Sequence, residues 1–80
     1  MTHYTPVFIA YNTAQSIPTD CNSIIFINSG TTTAVIENVT LGPSQSFVID
    51  GNENEFTTVT LQINFTGAGQ NNLIVVKKIF

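Results

Sequence analysis

The stretch Thr58-Val59-Thr60-Leu61-Gln62-Ile63-Asn64-Phe65-Thr66 alternates strictly between apolar and uncharged polar residues. Side chains point to opposite faces of a β-strand at successive positions, so a period of two is the signature of a strand with one buried face. The pattern predicts a strand over residues 58–66, with Val59, Leu61, Ile63 and Phe65 in the core. Thr60, Gln62, Asn64 and Thr66 then face water or a partner.

The same period runs outward along the chain. Residues 33–41 switch apolar phase at Glu37-Asn38, which a two-residue hairpin turn explains. Ile36 then faces Val39 and Ala34 faces Leu41, all on one side, with Asn38 supplying tolerance for positive φ and Glu37 a poor fit to it. Gly42-Pro43-Ser44 is a turn signal, and residues 46–50 read as a short strand with Phe47 and Ile49 inward. Residues 51–55 and 67–72 are polar loops. Residues 24–27 are apolar on both faces, as a central strand would be. Residues 7–11 and 73–80 are further strands, Pro6 suiting the start or edge of the first. Residues 12–23, polar and containing Pro18, are expected to be a loop. No window shows the 3.6-residue period of an amphipathic helix. About six or seven short strands at this turn spacing predict an all-β fold with two antiparallel sheets over one core.

Composition narrows the function. The chain has 80 residues, enough for one small domain. It has one cysteine, Cys21, and one histidine, His3. Neither an intramolecular disulfide nor a four-ligand structural zinc site can be made within one such chain. Charged residues are only 9% of the total and apolar residues 42%, so little electrostatic repulsion opposes close packing against other protein. The net charge is −3, with Lys77 and Lys78 as the sole basic side chains. A phosphate backbone is bound by clustered Lys and Arg, so nucleic acid is not an expected partner. No apolar run reaches the length of a membrane-spanning helix. Residues 1–10 lack a basic region followed by an apolar run, so no secretory signal peptide is expected.

Nucleophilic catalysis needs a nucleophile, a base and an orienting group. His3 lies near a terminus, and Cys21 sits in a polar stretch without a nearby cation to activate it. The carboxylates Asp20, Glu37, Asp50, Glu53 and Glu55 read as solvated turn residues rather than a glycosidase pair. Asp50, Asn52 and Asn54 match the first, third and fifth ligand positions of a calcium loop. Glu55 stands where Gly is required, however, and Leu61 where the twelfth-position Glu is required. A looser calcium site in that loop is the remaining metal candidate. Asn38-Val39-Thr40 and Asn64-Phe65-Thr66 fit the glycosylation pattern, which chance explains in a chain rich in Asn and Thr. Lys77-Lys78 reads as protection against unwanted edge pairing. No catalytic residue, cofactor or required metal is expected, and the protein is expected not to be an enzyme.

What remains is apolar surface. Val7, Phe8, Ile9 and Tyr11 at one end and Ile79 and Phe80 at the other are more than one small core easily hides. Two readings stand equally, that they fill the core or that a partner covers them, and on the second they form the candidate interface. Ile27-Asn28-Ser29-Gly30, the Thr-rich hairpin and the run Val39-Thr40-Leu41-Gly42-Pro43-Ser44-Gln45-Ser46-Phe47 complete the pattern. Together with Asp50-Gly51 and the closing Lys77-Lys78-Ile79-Phe80, they resemble small immunoglobulin-like β-domains of tailed bacteriophage virions and bacterial surface proteins. Ser44 stands where that pattern usually has Gly. The resemblance implies an immunoglobulin-like β-sandwich and a structural role on the virion, as a capsid decoration (auxiliary) protein or a tail or fibre component. The implied partners are capsid or other virion proteins, or further copies of the chain, and the implied location is a virion assembled in the host cytoplasm. The rival class is a carbohydrate- or ligand-binding module, for which the chain offers no Trp and only Tyr4 and Tyr11 as tyrosines.

Overall fold

A computed structural model describes residues 3–80. The described chain is all β: β1 (Thr5–Tyr11), β2 (Gln15–Pro18), β3 (Ser23–Asn28), β4 (Thr33–Ile36), β5 (Val39–Leu41), β6 (Ser46–Ile49), β7 (Thr60–Thr66) and β8 (Leu73–Ile79). They form two four-stranded sheets, ordered β1-β8-β3-β6 and β2-β7-β4-β5, with every pair antiparallel.

The pairing follows one rule. β1 pairs with β8, β2 with β7, β3 with β6 and β4 with β5. The chain is therefore one long hairpin whose tip is the β4–β5 turn. Folding that hairpin double adds the β3–β8 and β4–β7 pairs and closes each sheet. This is the strand order of a jelly roll, the eight-stranded double-sheet architecture. It differs from the expected immunoglobulin-like order, in which the second strand neighbours the first and fifth. The difference lies in β8, which is inserted between β1 and β3, and in β2, an eighth strand in the stretch expected to be a loop, which takes the edge beside β7.

The residues that form β2 show why it was missed. Pro18 and the flanking polar residues resemble a loop, yet Ile17, Thr19 and Cys21 are buried at alternate positions. Past Pro18 the ladder continues, with the Thr19 amide donating to Val59 O at 2.9 Å and a bridge joining Cys21 to Thr57. Proline is tolerated because β2 is an edge strand.

Both sheets contribute to one core. Ile24, Phe26, Leu73 and Val75 from one sheet meet Ile17, Ala34, Ile36, Leu41 and Ile63 from the other. The hairpin forms in the expected register, Ala34 opposite Leu41 and Ile36 opposite Val39. Positive φ falls on Glu37 (53°), not on Asn38. That strained position is tied down twice: the Glu37 amide donates to Gln62 O, and Glu37 Oε2 accepts from the Gln62 amide. Phe47 and Ile49 pack against the core as expected, Phe47 stacking on Phe26 with centroids 6.4 Å apart. The alternation also places Leu61, Ile63 and Phe65 inward. Val59 is a correction. It precedes β7 and is 53% exposed, beyond the part of the strand that the core covers.

Lys77 corrects another expectation. It lies on a central strand, not an edge, and is buried on the inner side beside Ile24. Its ammonium donates to Pro18 O at 2.9 Å, joining the two sheets.

The packing sets measurable expectations. Phe26→Ala, at a fully buried position in a central strand, should lower unfolding free energy by roughly 3–5 kcal/mol in urea titration. Val59→Ala should change it by less than about 0.5 kcal/mol.

Candidate functional site

The two outer faces of the molecule are chemically opposite. On the β2-β7-β4-β5 sheet the outward positions include Ser16, Thr40, Gln62 and Asn64, all polar and exposed. This is the ordinary pattern of a half-buried antiparallel sheet. On the β1-β8-β3-β6 sheet the central outward positions are apolar. The register aligns Phe8 with Val76, Val76 with Ile25 and Ile25 with Val48, one unbroken row across all four strands. The next row is Ala10, Ile74, Ile27 and Ser46. Phe8 is 71% exposed and Val48 50%.

The origin of this face is legible in β3 and β8. Each is apolar at every position of its central portion, Ile24–Ile27 and Leu73–Val76. Ile24, Phe26, Leu73 and Val75 fill the core; Ile25, Ile27, Ile74 and Val76 stand on the other side, half-buried by one another. Two-faced strands of this kind normally lie covered on both sides.

The rim at one end of the face is polar and aromatic. The row beyond Phe8 runs Pro6, Lys78, Ser23. Asp50 continues it, its Oδ1 accepting from Ser23 Oγ at 2.9 Å. Ser23 Oγ also lies 2.8 Å from the Gly51 carbonyl oxygen, so its single proton is shared between two acceptors, and it accepts from the Gly51 amide. Tyr4 and Phe80 stand edge to face, centroids 6.0 Å apart, and the Lys78 ammonium lies 5.2 and 5.3 Å from their ring centres. Tyr4, Phe8, Ile25, Val48, Asp50 and Lys78 line a shallow depression of about 450 Å³.

Two buried asparagines hold the ends of β3 and so the geometry of this sheet. Asn22 Nδ2 donates to the carbonyls of Asn52 (3.0 Å) and Glu55 (2.7 Å), and its Oδ1 accepts from the Phe80 amide. Asn28 Nδ2 donates to Thr32 O and Leu41 O, and its Oδ1 accepts from the Gly30 amide. Gly51 is required beside Asn22, because a Cβ there would lie 2.2 Å from the Asn22 carbonyl. Among the described residues, every buried side-chain nitrogen or oxygen has a hydrogen-bond partner.

The expected interface residues divide by parity. Phe8 and Phe80 are exposed. Tyr11 and Ile79 pack against the core, and Val7 and Ile9 are half-buried on the same inward side. Ile25, Val48 and Val76, absent from the sequence-derived interface, are what Phe8 joins. Their signal was the two-faced apolar character of residues 24–27 and 73–76.

The other candidate residues are not brought together. His3 is exposed and Cys21 wholly covered. Burial pushes the Cys21 thiol up, Lys77 opposing and Asp20 adding to the shift. Asp20, Glu37, Asp50, Glu53 and Glu55 are all exposed. In the loop weighed for calcium, Asp50 engages Ser23, Asn52 Oδ1 accepts from the Asn54 amide, and Glu55 Oε1 accepts from the Asn52 amide. Among the described residues, no group of three or more His, Cys, Asp or Glu is placed to hold a metal ion. No helix there is long and apolar enough to cross a membrane. The chain matches no family model, no curated protein and no solved structure.

Two measurements check this description. Asn28→Ala strips a buried donor from two carbonyls and should cost at least about 2 kcal/mol of stability, against under about 0.5 kcal/mol for Asn64→Ala on the polar outer face. The Cys21 thiol should resist a water-soluble thiol reagent until denaturant is added; rapid labelling of the native chain would contradict its burial.

Proposed function

We propose that this chain is a non-enzymatic structural subunit that works by protein–protein contact, on a virus particle, as a capsid decoration or auxiliary protein of a tailed bacteriophage. One observation carries the contact reading: the apolar outer face of the β1-β8-β3-β6 sheet, centred on Phe8, Val76, Ile25 and Val48. A contiguous apolar face rimmed by polar groups is the mark of a protein-binding surface. The opposite face, mostly Thr, Ser, Gln and Asn with Val35 and Pro18 among them, suits the side turned to water.

The virion assignment rests on the resemblance of residues 27–51 and 77–80 to virion β-domains. The jelly-roll order is compatible with it, since capsid domains use that architecture, but so do lectins. Fold-level analogy does not choose between them. The rival carbohydrate- or ligand-binding reading is favoured by the Tyr4–Phe80 aromatic pair beside Ser23 and Asp50 at the rim of the depression.

Co-sedimentation with phage capsids lacking their decoration layer tests the assignment. The wild-type chain should pellet with the shells. Phe8→Asp should lose most of that binding while its melting temperature stays within a few degrees, because Phe8 is largely exposed. Binding to an oligosaccharide array with none to shells would replace this reading with its rival.

A further inference from the structure

We infer that the outer face of the β1-β8-β3-β6 sheet is self-complementary, and that a second copy of this chain docks on it face to face about a two-fold axis parallel to the strands. This deepens the proposed contact role and rests on it for the identity of the surface.

A two-fold axis along the strands lays every row of one copy on the same row of the other, reversed. Phe8-Val76-Ile25-Val48 then faces Val48-Ile25-Val76-Phe8. The bulkiest side chain of the row, Phe8, meets the small Val48 at both ends, and Val76 meets Ile25. Packed sheets interdigitate best when large faces small.

The same operation pairs the charges. The rim row reads Pro6, Lys78, Ser23, Asp50 across the four strands. Reversed onto itself, it sets Lys78 of each copy one strand spacing, about 4.8 Å, to the side of Asp50 in the other. Lys78 of the second copy lies as near, but two Lys–Asp contacts outweigh one Lys–Lys contact. The ammonium lies over the rings of Tyr4 and Phe80, and Tyr4 immediately precedes β1, the strand that the other copy's Asp50 would face.

The alternative axis, across the strands, fails both tests. It lays the charged rim row of each copy at the far end of the other, beside Ala10, Ile74 and Ile27, and stacks Phe8 on Phe8.

The area sets the strength. Four strands span about 19 Å, and four outward rows including Tyr4 and Phe80 span about 27 Å. Two such footprints bury on the order of 1,000 Å², just below the range of stable complexes. The dimer is therefore reversible, and it releases the face to a larger assembly when one is present.

Sedimentation velocity over a concentration series tests the dimer. Wild type should show a concentration-dependent monomer–dimer equilibrium that Phe8→Asp abolishes. Lys78→Asp should weaken it about tenfold or more, and the double exchange Lys78→Asp with Asp50→Lys should restore it, each variant being checked for unchanged melting. Since Asp50→Lys also removes the Ser23 contact, a second test is independent of it. An equimolar mixture of Phe8→Cys and Val48→Cys chains under mild oxidation should form a mixed disulfide dimer, while Phe8→Cys alone should not; the covered Cys21 does not compete. Cross-linking by Phe8→Cys alone overturns the axis. A wild-type chain that stays monomeric at every concentration overturns self-docking, and if it still pellets with phage shells the contact role stands without it.

Discussion

Strand β8 is bonded along both edges, to β1 on one side and β3 on the other, and the remaining structure depends on that double pairing. It joins the end of the chain to its beginning and closes the long hairpin at its open end. It also draws β3 beside itself, which turns a flat hairpin into two stacked sheets. These pairings span most of the sequence, so their loop-closure entropy is recovered only when the whole fold forms.

Burial in a domain this small leaves little margin, and the polar groups inside are arranged accordingly. Asn22 and Asn28 satisfy loop carbonyls at opposite ends of β3, where an apolar residue would leave several acceptors dry. Lys77 does the same across the sheets through Pro18 O. Each acts as a local clamp in a chain with no disulfide: the asparagines fix the segments at the two ends of β3, and Lys77 fixes the edge strand β2 next to its core residue Ile17.

The functional reading follows from an imbalance between the outer faces. One is polar at nearly every outward position, the other apolar across four strands. A monomer's solubility would favour two polar faces. That β3 and β8 remain apolar on both sides is what supports the proposed association role, and it places that role on the same two strands that organise the fold.

The period-two pattern determined on its own that the chain is all β, and it placed the hairpin register and the inward residues of β6 and β7, because alternation maps directly onto the two faces of a strand. It also marked residues 24–27 and 73–76 as apolar on both sides. Strand β2 escaped because Ile17, Thr19 and Cys21 are a weak alternating signal broken by Pro18, and only pairing with β7 gives it meaning. Parity within residues 7–11 was readable, but which parity faces outward was not. Phe8, Val76, Ile25 and Val48 lie far apart in sequence, and nothing local aligns them. Cross-strand register is a property of the assembled sheet, set by which strands pair and where. Tertiary structure alone therefore decided the jelly-roll order and the apolar row that makes the candidate site.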